Sequence, residues 1–226
     1  MTDKFIRTIR SFVLRQGRLT KSQELALKTV WPIYGINRGD SPLDFSALFE
    51  QSAPVTLEIG FGDGVSLAEM AENAPDKNFI GIEVHRPGVG RLLHLIQQKD
   101  LKNVRVMDDD AVQIIKHRIP KQSLECVQLF FPDPWHKKRH NKRRIVQTDF
   151  VSLIASRLKS GGIFHLATDW EPYAEQMAEV MEASSEFESL SDSPFSAKPK
   201  DRPTTKFEKR GLKLGHGVWD LLYKKL

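Results

Sequence analysis

From residue 54 onward, short apolar runs alternate with stretches of helical spacing. The runs VTLEI (55–59), NFIGIEV (78–84), NVRVM (103–107), 124–131 and IFHLA (163–167) have the length and composition of buried strands. Between them, 65–73, 89–99, 111–118, 145–158 and 171–183 read as helices. The 145–158 helix carries Ile145, Phe150, Val151, Ile154 and Leu158 as its apolar positions. Gly161-Gly162 turns the chain into the fifth strand. The Ser-, Pro- and Lys-rich stretch 191–211 reads as a loop, and GVWDLLYK (217–224) as a closing strand. This alternation predicts an α/β fold with a doubly wound, mostly parallel sheet. A long loop rather than a crossover helix precedes the closing strand, which is therefore expected to pair antiparallel. Residues 1–40 are basic and mixed; they are expected to form a partly ordered arm, with 41–226 as one domain.

With 226 residues and 40% hydrophobic content, the chain can bury a substantial core. Its net charge of +5 is unevenly placed. Residues 137–144 hold six cations, and the arm adds Arg7, Arg10, Arg15, Arg18 and Lys21. Clustered positive charge points to a polyanion, with nucleic acid the first choice. No segment approaches 18 apolar residues and 1–25 has no apolar leader, so a cytoplasmic protein with no membrane partner is expected. The single cysteine, Cys126, lies in an apolar strand and reads as a structural thiol in a reducing compartment.

The chemistry concentrates in LFFPDPWHKKRHNKRR (129–144). Here a buried strand opens into a turn at Pro132, Asp133, Pro134 and Trp135. The prolines restrict the backbone on both sides of Asp133 and make its position rigid. In an open parallel sheet, that strand end is where ligands bind. Trp135 fits two roles equally, stacking on a base or anchoring the turn. His136 and His140 read as phosphate neighbours or surface groups rather than proton carriers.

A second constellation is Glu58-Ile59-Gly60-Phe61-Gly62-Asp63-Gly64, between a strand and a helix. Its glycines let the backbone turn sharply and approach a ligand. The dinucleotide fingerprint would need Gly at 65, where this chain has Val65. Glu83 ends the second strand, where an acid reaches ribose hydroxyls. Asp108-Asp109-Asp110 ends the third, where an acid can accept from an adenine amine. There is no GKS or GKT sequence. Together these describe an adenosine site with no phosphate-binding lysine, and S-adenosylmethionine fits it. For each acid alone, a helix cap is the competing role, most plainly for Asp110.

These motifs stand in order with Thr168-Asp169-Trp170, Thr205-Lys206-Phe207-Glu208 and RQGRLTKSQ (15–23). The set closely resembles the bacterial tRNA (guanine-N7)-methyltransferase family, over nearly the whole chain. The resemblance implies a Rossmann-like class I fold with a seven-stranded sheet. It implies cofactor contacts at Glu58, Glu83, Asp110 and Asp133, joined by the loop glycines Gly60, Gly62 and Gly64, with Asp133 the catalytic acid. Lys137, Asp169, Thr205, Lys206, Phe207 and Glu208 would bind substrate. Arg139, His140, Asn141, Lys142, Arg143 and Arg144 would bind RNA. The implied target is the variable-loop guanine of tRNA, the implied enzyme a monomer or weak homodimer with no metal. If about four cations meet phosphates, log K should fall with log salt at a slope near about −3. Two other functions compete. One is methylation of an amino group such as adenine N6, which the Pro-Asp-Pro-Trp order fits poorly. The other is a tRNA-binding protein that lost activity, which the intact acids and glycines oppose.

Overall fold

A computed structural model describes residues 11–12, 17–205, 208–209, 211, 215 and 217–226. Five parallel strands form its centre: β1 Val55–Ile59, β2 Asn78–Ile82, β3 Val104–Met107, β4 Leu124–Phe130 and β5 Leu158–Thr168. A short β6, Phe187–Ser189, and the closing β7, Trp219–Lys225, complete the sheet. β7 runs antiparallel to both β5 and β6, and the strand order is 3-2-1-4-5-7-6. All five residues of β1 and of β2 are buried, which is why they read as continuous runs rather than alternating ones. Only Phe187 of β6 is buried, too short a signal to read as a strand.

The helices are α1 Lys21–Thr29, α2 Trp31–Tyr34, α3 Phe45–Leu48, α4 Val65–Asn73, α5 Arg86–Gln98, α6 Ala111–His117, α7 Thr148–Arg157 and α8 Glu171–Glu182. They divide between the two faces of the sheet. On one face Leu67 of α4, Leu92 and Ile96 of α5 and Ala26 of α1 form a core. On the other, Ile114 of α6, Phe150 and Ile154 of α7 and Tyr173 and Met177 of α8 form the second. Three boundaries differ from the sequence reading. The fourth predicted helix starts at Thr148, because residues 138–143 wind into a 3₁₀ turn ahead of it. β5 starts at Leu158 and carries Gly161 (φ 79°) within it, at a register shift against β4. From Thr20 on, the basic N-terminal stretch packs against the body. A capping box at Thr20 and Gln23 starts α1, Ala26 and Val30 are buried, and Ile36 N–H donates to Val106 O at 2.8 Å. Arg7, Arg10 and Arg15 lie outside the described residues.

The strand order reverses between β1 and β4. Their carboxyl ends therefore diverge into a crevice, the usual ligand position in such sheets. Among the described residues, no helix is long and apolar enough to cross a membrane.

Candidate active site

The crevice holds two neighbouring chambers. One, of 470 Å³, is lined by Glu83, Asp109, Asp110, Phe131, Asp133 and others. The second, of 330 Å³, is lined by Glu58, Gly62, Ser66, Thr204, Thr205 and others. Gly60, Phe130 and Phe131 border both.

The glycine loop is held both by its own turn, where Gly64 N–H donates to Phe61 O at 3.0 Å, and by its neighbours. Gly60 and Gly62 adopt φ of 73° and 61°, which disfavours any residue with a Cβ. Glu83 fastens the loop: one carboxylate oxygen accepts Gly62 N–H at 2.9 Å, the other accepts Val84 and His85 N–H at 2.7 and 2.9 Å. The start of α5 closes against the loop, and a Cβ on Gly88 would fall 1.9 Å from Gly62 O.

Glu58, the penultimate residue of β1, is 3% exposed, and its Oε2 has no hydrogen-bond partner among the described residues. Burial, then the charges of Glu83 and Asp63, push its carboxyl up to about 8. A carboxylate in such a position is costly unless a cation or donor joins it. A cationic ligand in the second chamber, which Ser66 also lines with an Oγ that has no partner among the described residues, would satisfy it.

The acid run at the end of β3 is partly committed. Asp108 and Asp109 pair with Arg86 and Arg38 at 3.5 and 3.1 Å. Asp110 caps α6, its Oδ1 accepting Val112 N–H at 2.9 Å, while it also lines the larger chamber. The cap and the chamber-lining position thus belong to the same residue.

Asp133 is exposed at the mouth of the larger chamber. The turn that carries it is bracketed by two residues in the left-handed region, Phe131 (φ 52°) and Trp135 (φ 48°). Such conformations cost of order 1–3 kcal/mol each and persist where surrounding structure holds them. Trp135 donates from Nε1 to Ser11 O at 3.1 Å, and one ring face lies under the Arg143 guanidinium at 3.8 Å. The anchoring role is therefore visible in its contacts. Asp169 follows β5, the strand beside β4, and Trp170 meets His136 edge-on at 4.3 Å.

The six cations of the loop separate into three environments. Lys137, Lys138, Arg139 and Lys142 are exposed. Arg143 is half-buried on Trp135 and donates to Phe12 O at 3.4 Å. Arg144, expected among the RNA-binding residues, is 5% exposed and its guanidinium turns inward to Pro134 O and Pro172 O. His140 is half-buried; partial burial, then the surrounding cations, depress its imidazole below the ordinary value. Asn141 also turns inward, its Oδ1 buried without a partner among the described residues.

Thr205 borders the second chamber, but Glu208 does not line either one. Glu208 is 4% exposed and gripped by Arg202, which donates to its two oxygens at 2.8 and 3.2 Å, and by Lys198 at 2.9 Å. Arg202 reaches on to Asp220 of β7 at 2.9 Å, and Asp220 meets His165 of β5 at 2.8 Å. Burial opposes ionisation of Glu208, yet the Arg202 and Lys198 contacts outweigh it and hold the carboxyl below the usual range. Glu208 thus braces the loop that presents Thr204 and Thr205, through Arg202, Lys198 and Thr205. Lys206 and Phe207 lie outside the described residues.

The family described as "Putative methyltransferase" matches residues 52–221. A tRNA (guanine-N(7)-)-methyltransferase of Aeromonas hydrophila is 59% identical over 99% of this chain and 94% of its own. One of Escherichia coli (strain UTI89) is 57% identical over 98% and 93%. The chain belongs to the tRNA (guanine-N(7)-)-methyltransferase family. Among solved structures, the 16S rRNA methyltransferase KamB superposes with a TM-score of 0.62 at 16% identity, covering 84% of this chain and 96% of that one. At that identity the likeness concerns the fold alone.

Several residues of this methyltransferase's site carried no legible signal in the chain. Arg202 stands in a Ser-, Pro- and Lys-rich loop with no periodicity. Arg38 and Arg86 neutralise the acid run from separate segments. Cys126 sits in β4, and burial pushes its thiol up to about 12, which suits packing rather than nucleophilic work.

Proposed function

We propose that this enzyme transfers a methyl group from S-adenosylmethionine to N7 of a guanine in the variable loop of tRNA. One observation carries the reading: the glycine cradle with its orphaned Glu58 and the rigid Asp133 turn meet at one crevice, beside four exposed cations. When bound, the cofactor supplies an electrophilic methyl group. Glu58, with a buried unpartnered oxygen, suits the cofactor's ammonium group. Glu83 and Asp110 line the chamber that suits its ribose and adenine.

The chain's own residues then have little proton chemistry to perform. Guanine N7 carries a free lone pair at neutral pH, so no general base is required. What the protein supplies is orientation, worth up to roughly 7–11 kcal/mol in the best cases. Asp133 accepts from the guanine N1–H and amine edge and stabilises the positive charge that methylation places on the purine. Asp169 and Thr205 take the substrate from the neighbouring strand end and loop. Lys137, Lys138, Arg139 and Lys142 hold the phosphates, a contact with little sequence content. Selection of the guanine falls to tRNA shape and the pocket.

The test is incubation with an unmodified tRNA transcript and methyl-labelled S-adenosylmethionine, then nuclease digestion and chromatography of the nucleosides. Label in 7-methylguanosine from the variable loop is the expected result. Label in N6-methyladenosine, or none, would overturn the reading.

A further inference from the structure

Arg144 is the most deeply placed cation of the basic loop, and its contacts run inward. Its Nε donates to Pro134 O at 2.9 Å, the carbonyl that follows Asp133 in the turn. Its Nη1 donates to Pro172 O at 3.1 Å, in the first turn of α8, three residues after Asp169. Nη1 also lies 3.4 Å from Gln176 Oε1, and Gln176 donates back to Val146 O at 2.8 Å. The guanidinium stands 4.7 Å over the ring of Tyr173, itself fully buried. Among the described residues, no carboxylate pairs with it.

A buried cation balanced only by carbonyls and a π face is an expensive choice for packing alone, since an apolar side chain of that volume would avoid the desolvation. What the guanidinium adds is a rigid planar fork that can bridge two carbonyls at a set separation. The two carbonyls belong to the two turns that carry Asp133 and Asp169. On the opposite side, the same turns touch through His136 and Trp170. The left-handed Trp135 is held by the same arrangement, since the strained turn is pinned at Pro134 on one side and by Ser11 at the Trp135 indole on the other.

We propose that Arg144 is a positioning residue: it bolts the Pro132–Trp135 turn to the start of α8 and so sets the spacing of Asp133 and Asp169, and it does not contact RNA. This rests on the proposed reaction for what those two acids bind, but not for where Arg144 lies. A displacement of about 1 Å at a reacting centre costs on the order of 100-fold in rate.

The test compares Arg144→Lys and Arg144→Met with Lys142→Gln. Both Arg144 variants should lose about 30- to 100-fold in kcat, with tRNA and cofactor Kd within about threefold of the parent enzyme. Their salt slope should match the parent's, while Lys142→Gln should lower it by about 0.7–0.9. Lysine should not restore the rate, because it cannot span both carbonyls. Free guanidinium ion should partly restore Arg144→Ala, an effect that loss of general stability would not produce. An unchanged kcat, or a reduced salt slope, would overturn the proposal. Should the variants fail to fold, the parent enzyme still decides. With a dicarbonyl reagent, Arg139 should react and be protected by tRNA, and Arg144 should stay unmodified with or without tRNA. Modification of Arg144 that tRNA blocks would overturn the assignment. If the parent enzyme formed no 7-methylguanosine, the substrate reading would fail while the footprint still located Arg144.

Discussion

Glu58 and Glu208 are buried to almost the same degree, 3% and 4% exposed, and they stand in opposite states. Glu58 has a carboxylate oxygen with no partner among the described residues, and its carboxyl is pushed up to about 8. Glu208 has the Arg202 fork and Lys198, and its carboxyl is held low. Burial by itself therefore settles neither charge nor role; the partner does. In the proposed reaction, the acid without a partner among the described residues is the one that meets the ligand. The partnered one is scaffold, tying the Thr204–Thr205 loop to β7 and, through Asp220, to His165 of β5.

The sharpest way to break this contrast is Glu208→Gln. Removing one partner of a buried pair typically costs 3–5 kcal/mol, and the low end, about 3 kcal/mol, is expected because Asp220 still faces Arg202. Chemical denaturation should show it, with cofactor affinity unchanged in the folded fraction. In the parent enzyme, the low carboxyl of Glu208 contributes stability that is present above the unfolded-state value near 4.5 and lost as pH falls through its folded value.

Asp133 supplies the exposed counterpart. Asp133→Ala should leave tRNA binding and melting temperature nearly unchanged while methyl transfer drops about 100-fold, equivalent to about 2.7 kcal/mol. Single-turnover kinetics would decide; a rate near the parent's removes Asp133 from the chemistry.

Glu58→Gln should do the reverse of Glu208→Gln and stabilise the free protein by about 1–3 kcal/mol near neutral pH. The sign follows from the raised carboxyl. The folded chain keeps a proton that the unfolded chain has released, so parent stability falls as pH rises from 4.5 towards about 8. The gain in the variant should accordingly grow across that window and level off above it, as thermal melts at several pH values would show. The same variant should bind S-adenosylmethionine more weakly. A gain that is constant with pH would mean that Glu58 is already ionised and paired.

The smallest effect concerns the exposed cations. Arg139→Gln with Lys142→Gln should weaken tRNA binding and lower the salt slope by about 0.7–0.9 for each charge. Four exposed cations keep the expected total near about −3, although Arg144 is not among them.

Much of the scaffold was readable in the chain because its signals are local. The fully buried runs of β1 and β2 and the amphipathic spacing of the helices each depend on a few consecutive residues. The glycine loop was legible for the same reason: the left-handed φ values at 60 and 62 favour glycine over residues with a Cβ. The proline-bracketed Asp133 was equally legible, and it does stand at the crevice. β6 was missed because its three residues pair with β7 across a long loop, not with anything near in sequence.

What the chain alone determined was the order of elements, the two constellations at strand ends and the excess of positive charge. These follow from backbone sterics, apolar spacing and formal charge, which neighbours in sequence decide. The tertiary structure decided which charged groups are free. Arg144 meets Pro172 across 28 positions and Arg202 meets Asp220 across 18. In sequence, Arg144 is one more cation in a basic run and Glu208 one more motif acid. Only the folded arrangement removes both from water, and the partner each then finds sets its charge, its rigidity and its use.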